Sequence, residues 1–402
     1  MLRLTTSDWE GTLRMADRLA QAEPAPLPVA EVGAPERPVT LRTESQAIYV
    51  ALLAGAVGAM VGIVLGIGWP PLPLFGDFSF GTVAAIAAGL IAAVAGAVGY
   101  WRARRLAGQE WRVTLPAATF TVNTIAVVLV HIVLAALSVL ATFFILSRGF
   151  IGLEVDLFWS TALMAVSLGL TAHLTYLSVS RMTTRRMSSL LMSFVVIGTL
   201  TAMVSSPDPT WWKIHFSQLG TFWSVSGFMF NGTLVAAGLL VTAFAVYLAN
   251  DMRELLERGT LANSKSTAIV STMFIIMGIM LAGVGLVPVN VSLVIHNLCA
   301  SGMAVMYFGL LVGGPWIVRG MPRAYFIASW IFLATVVVST ILFSVGFFGL
   351  TAFEIVIFAL IFGWISVFIR FIGVAGQPDE RSVVAEQQVH LPRRKLSQDV
   401  KR

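Results

Sequence analysis

Only five histidines occur in 402 residues, and four of them fall in or beside apolar stretches: His131, His173, His215 and His296. An ionisable side chain in such surroundings is costly, and its presence points to a task. Two of the four belong to one group. The segment SSPDPTWWKIHFSQLGTFWSVSG holds Asp208 between Pro207 and Pro209, then His215, and Asn231 follows shortly after it. The segment VNVSLVIHNL places Ser292 and His296 four residues apart, on one helix face, with Asn297 adjacent. Glu354 opens a later apolar stretch at the same level. Two imidazoles and two carboxylates are the donor set of a divalent-metal site or of general acid–base catalysis. The spacing is not that of a metal motif such as HExxH, and no metal is assigned. The expectation is that Asp208, His215 and His296 contact or transform a ligand, and that Asn231, Ser292, Asn297 and Glu354 help to bind it. The same histidines could instead cap and brace helix ends.

The other two, His131 and His173, lie deep in neighbouring apolar stretches and form a possible intramembrane polar pair. Axial haem ligation or a proton relay would use such a pair. Neither CxxCH nor further paired histidines accompany them, so the cofactor stays unassigned.

The elements that must position these residues follow from composition. The chain is 57% hydrophobic and only 11% charged, against roughly 25% charge in ordinary globular proteins. Mean hydropathy is +0.86. This excludes a soluble enzyme, a disordered chain and a nucleic-acid binder. A helix crosses the bilayer with about 20 apolar residues. Ten stretches qualify, at about 47–68, 82–101, 122–147, 158–180, 187–205, 224–250, 267–288, 292–318, 324–346 and 350–373, with ends good to roughly three residues. They neither alternate nor shorten as barrel strands would. The expected fold is therefore all-α, a polytopic transmembrane bundle.

Charge orients it. Of the 26 lysines and arginines, 24 fall in alternate connections and the two ends, leaving Arg148 and Lys213 on the other side. Basic residues stay on the cytoplasmic side. Both termini are therefore expected in the cytoplasm, with a net charge of +9 inside and −3 outside. The acidic residues outside are Asp77, Glu154, Asp156, Asp208 and Glu354. A basic inner face also suits anionic lipid. No apolar leader precedes the first span, which should act as an uncleaved insertion signal. The lone Cys299 allows no internal disulfide.

Five regions are expected. Residues 1–46 form a cytosolic appendage: a short helix from Ser7 or Asp8 to about Gln21, then a proline-rich linker. Residues 47–118 form a Gly/Ala-rich transmembrane hairpin. Gly58, Gly62 and Gly66 on one span and Ala85, Gly89, Ala93 and Ala97 on the other make stripes where helices approach closely. Residues 119–186 hold two spans, 187–374 a six-helix membrane domain, and 375–402 a basic disordered tail.

The runs HFSQLGTFWSVSGFMFNGTLVAAGLL and GVGLVPVNVSLVIHNLCASG resemble a bacterial and archaeal membrane-domain family of unknown function, distantly similar to the DRAM and Sfk group of six-helix proteins. The family's Asn-Gly at its second helix corresponds to Asn231 and Gly232. Its Gly-x-Phe-Pro corresponds to Gly285 and Pro288, with Val287 in place of the aromatic. Its following histidine corresponds to His296. The resemblance covers about residues 187–374 and implies a six-helix bundle with polar residues on the outer face. Its eukaryotic relatives imply a lipid-related role.

The first expectation is thus a multi-pass protein of a bacterial cytoplasmic membrane, Ala/Gly/Arg-rich as in high-GC genomes. Its outer-face polar pocket would serve lipid or the cell envelope, and whether it is an enzyme stays open. Membrane lipids, a second copy or another membrane protein are the expected partners, and nucleic acid is not. A transporter would instead show a midplane cavity reaching His131 and His173. A non-catalytic scaffold would work through the glycine stripes and the cytosolic helix.

Overall fold

The structure, a computed structural model, describes residues 41–375 apart from Asp77, Ala107 and Phe222. The expected N-terminal helix and linker, and the basic tail, lie outside the described residues. Among the described residues ten helices follow one another: α1 Leu41–Gly68, α2 Phe80–Ala103, α3 Ala117–Gly149, α4 Leu157–Ser180, α5 Thr184–Val204, α6 Val225–Glu257, α7 Ser266–Leu286, α8 Leu293–Ile317, α9 Arg323–Ser344 and α10 Leu350–Ala375. All ten are long and apolar enough to cross a membrane. Spanning helices satisfy every backbone group within themselves, as a bilayer demands. The only described strands are β1 Leu72–Pro73 and β2 Glu154–Val155, an antiparallel pair that ties two connections together at one end of the bundle.

Side chains sort as they should for a protein in lipid. Large apolar residues such as Leu52, Ile67, Leu298 and Ile331 are more than half exposed, a surface that lipid tolerates and water does not. The core sits around α6, the most buried span, which packs against α3, α5 and α7. Its Phe244 meets Phe274 of α7 edge-on. At 33 residues, α6 is about 50 Å long. It runs seven residues beyond the span expected from hydropathy and carries Asp251, Arg253, Glu254 and Glu257 past the apolar stretch.

Helix starts are set by side-chain caps. Ser79, Asp156, Thr183, Ser224 and Ser292 each accept a bond from a backbone N–H in the first turn of the following helix. Such caps satisfy donors that the helix itself leaves open.

The glycine stripe of α1 meets α4, whereas the sequence pattern paired it with α2. A Cβ on Gly62 would lie 2.4 Å from the Ser160 carbonyl oxygen, and one on Gly58 would lie 2.6 Å from that of Met164. Ser160 Oγ donates to the Gly62 carbonyl at 2.8 Å, across the two helices. The glycines of α2 face α3 and α4, Gly89 against Ile132 and Gly99 against Tyr176 and Val179, while Ala95 clusters with Ala54 of α1 and Ala172 of α4. A stripe shows that a close neighbour exists, and several helices can supply one.

One of the bases counted as a topology signal is not at the surface. Arg112, on the short 3-10 turn Glu110–Val113, is 1% exposed. Its guanidinium stacks 3.8 Å over the Tyr100 ring, Nη2 donates to the Tyr100 carbonyl at 2.9 Å and Nη1 to Gln109 Oε1 at 3.2 Å. Gln109 Nε2 in turn donates to the Met182 carbonyl at 2.8 Å, and the Tyr247 hydroxyl to that of Tyr100 at 3.0 Å. The guanidinium thus gathers the α2–α3 turn, the α4–α5 turn and α6.

Candidate functional site: a capped end of the bundle

Between α5 and α6 the chain folds over one end of the bundle. It does so as two 3-10 turns, Trp211–Lys213 and Phe216–Gly220. Phe216 and Leu219 are buried, and Phe216 packs edge-on against Phe230 of α6 and beside Phe358 of α10. Trp212 and Trp223 are exposed at the rim, where indole favours the membrane interface.

Polar bonds pin this cap to three helices. Asn231 Nδ2 of α6 donates to the Gly220 carbonyl at 2.8 Å. Glu354 Oε2 of α10 accepts from the Phe216 N–H. His296 of α8, 4% exposed, lies 2.9 Å from the Val287 carbonyl through Nδ1 and 3.1 Å from Ser217 Oγ through Nε2. A carbonyl only accepts, so Nδ1 carries the proton. In the neutral ring Nε2 then accepts from the Ser217 hydroxyl.

His215 precedes the second turn. Its Nδ1 is buried with no hydrogen-bond partner. Burial holds its pKa below the ordinary value, and repulsion from a charge on His296 lowers it further. The two imidazoles are thus close enough to sense one another. Their coupling is testable. In histidine-labelled protein, NMR should find His215 titrating below the ordinary value of about 6.5. In His296→Gln, which keeps a polar side chain and removes the titratable ring, the midpoint should rise while staying below ordinary, because burial is the larger cause. An unchanged midpoint would mean that the two rings do not interact.

The structure therefore brings His215, Ser217, His296, Asn231 and Glu354 into one assembly. Three other residues of the expected layer are used locally. Asp208 Oδ1 accepts from the N–H and hydroxyl of Thr210 at 2.7 and 2.8 Å, closing a turn. Ser292 caps α8, and Asn297 is exposed. Among the described residues no group of three or more His, Cys, Asp or Glu side chains could hold a metal ion.

A serine hydroxyl bonded to an oriented imidazole is also how a nucleophile is activated. The same couple occurs at His131. Its Nδ1 lies 2.7 Å from the Val127 carbonyl and its Nε2 2.9 Å from Ser178 Oγ. His131 is thus joined to Ser178, and His173 stands outside that bond. Repetition at two unlike depths marks the couple as this chain's way of satisfying a buried imidazole. Among the described residues, the histidine ring left with an open buried nitrogen is His215. Spacing flagged both histidines, but nothing in the sequence tied Ser217 to His296 or Ser178 to His131.

The fold and this cap define a multi-pass helical membrane protein. Residues 189–370, from within α5 to within α10, match a family described as Protein of unknown function (DUF998). The match includes the whole cap and every residue that pins it. No curated protein and no solved structure matches the chain.

Proposed function

We propose that the protein binds the phosphate headgroup of a phospholipid in the outer leaflet of the cytoplasmic membrane, at the cap, with His215 as the contacting group. The observation that carries this reading is the buried, unpartnered Nδ1 of His215 beside His296. A buried polar atom without a partner costs free energy until something satisfies it. Its neighbours suit a headgroup. Lys213 is exposed two residues away, and Trp212 and Trp223 stand at the interface. The resemblance to the DRAM and Sfk group, with its lipid-related eukaryotic members, supports the same reading. Asn231 and Glu354 act as positioning residues, since they hold the cap.

Binding is proposed rather than turnover, because the hydroxyl–imidazole couple at His296 has a counterpart at His131 remote from the cap. Native mass spectrometry of the purified protein tests the reading. One phosphatidylglycerol should stay bound to the native chain and to Asn297→Ala, and be lost from His215→Ala. Retention by His215→Ala equal to that of the native chain would refute it.

A further inference from the structure

Between α3 and α4 lies a groove of about 380 Å³, to which α5 contributes Leu190. Its lining is mostly apolar, with a set of hydroxyls among the apolar side chains. Ser138 and Thr142 come from α3, and Ser167, Thr171 and Thr175 from α4, with the His131–Ser178 bond beside them. The lining carries no acidic side chain, lysine or arginine. Thr171 and Thr175 are 8% and 5% exposed.

These hydroxyls share one wall of one groove. A serine or threonine in a membrane helix ordinarily bonds back to a carbonyl one turn earlier. Thr124, Thr142, Thr201, Thr335, Thr340 and Ser344 do so here. Ser167, Thr171 and Thr175 do not, and among the described residues their hydroxyls have no partner. Three hydroxyl donors open onto the groove from one wall, and lipid chains supply no acceptor for them.

Depth and charge select the acceptor. By helical rise Thr171 lies about 21 Å from the start of α4 and about 13 Å from its end, within hydrocarbon and below the level of phospholipid esters. A neutral wall gives nothing to a charged headgroup. Thr171 and Thr175 sit one helical turn apart, about the separation of two carbonyls across a six-membered ring. The volume suits a small cyclic head and falls within the range of ordinary ligand sites. We propose that this groove binds the head of an isoprenoid quinone, its carbonyl oxygens accepting from the hydroxyls of α4, with the tail leaving sideways past the exposed Val166, Leu170 and Leu174. The groove is remote from the cap, and the proposal does not rest on the headgroup reading.

Equilibrium binding of a radiolabelled short-chain ubiquinone tests it, with the full chain in phosphatidylcholine nanodiscs. Binding should saturate at one per chain. The double variant Thr171→Val/Thr175→Val, which keeps shape and removes two donors, should bind at least about tenfold more weakly. Thr340→Val, whose hydroxyl is already bonded to its own helix, should bind as the native chain does. If the double variant loses its melting transition, Ser167→Ala replaces it, with weakening expected there too. Binding that never saturates above empty nanodiscs would overturn the proposal. So would unchanged affinity in the folded donor-less variant, or equally potent displacement by dioleoylglycerol, a neutral lipid with ester carbonyls.

Discussion

Gly238→Val should prevent the protein from folding into a stable bundle. A Cβ at Gly238 would sit 2.4 Å from the Gly278 carbonyl oxygen and 2.5 Å from the Ala282 nitrogen, both backbone atoms. Reciprocally, a Cβ at Gly278 would sit 2.6 Å from the Gly238 carbonyl oxygen. Two turns away on each helix, a Cβ at Gly285 would sit 2.5 Å from the Asn231 carbonyl oxygen. Thus α6 and α7 touch backbone to backbone over at least two turns, and the central helix cannot retreat without disturbing its other neighbours. Van der Waals contact at this range is what holds membrane helices together. Overpacking a site whose neighbours cannot move costs about 3 kcal/mol or more. The expected result is loss of the monodisperse species in size-exclusion chromatography and of the thermal transition. Gly232 is the control. A Cβ there meets nothing within 4 Å, so Gly232→Ala should melt within a few degrees of the native chain. Equal behaviour of the two variants would contradict this packing.

The second large effect is expected at Arg112. Its replacement by alanine removes the stacking on Tyr100 and two hydrogen bonds, and leaves the Tyr100 carbonyl and Gln109 without their donor. Among the described residues the guanidinium has no carboxylate partner, so no opposite charge is stranded by its loss. The cost is then that of a cation–π contact, one buried hydrogen bond and one half-buried hydrogen bond, about 3 kcal/mol in sum. Arg112→Lys should recover little, because an ammonium lacks the planar fork that stacks and donates together. Chemical unfolding in detergent would read both. A midpoint for Arg112→Ala equal to the native one would show that the three elements meeting at Arg112 are held by other contacts.

The spans were legible because hydropathy is the strongest signal a membrane chain carries. Each of the ten stretches became a helix, most with ends within about three residues of those expected, although α1 and α3 start at Leu41 and Ala117, ahead of the expected 47 and 122. The largest departure, α6, continues past the apolar stretch because nothing in its following turns breaks a helix before Gly259, whose φ of +73° ends it. Side-to-side pairing was not legible. The α1 stripe fits any smooth neighbour, and Gly238 and Gly278 reveal themselves only once α6 and α7 are adjacent. Arg112 reads as a surface charge until the turn that carries it folds inward. At the cap the sequence placed His215, Asn231, His296 and Glu354 at one level, and the structure joins them in one assembly. It could not show that Asn231 and Glu354 are held by backbone groups of the cap, since those partners have no side-chain identity to read.

The claim on which the headgroup reading stands is that the cap faces outward, which the charge distribution implies. Lys213 lies in the cap and is exposed, and Cys299 is the only native cysteine. In a Cys299→Ser background, Lys213→Cys should react with a membrane-impermeant maleimide in intact cells, while Arg258→Cys should react only after permeabilisation. The reverse pattern, with Lys213→Cys protected until the cells are opened, would contradict the orientation and remove the outer-leaflet site with it.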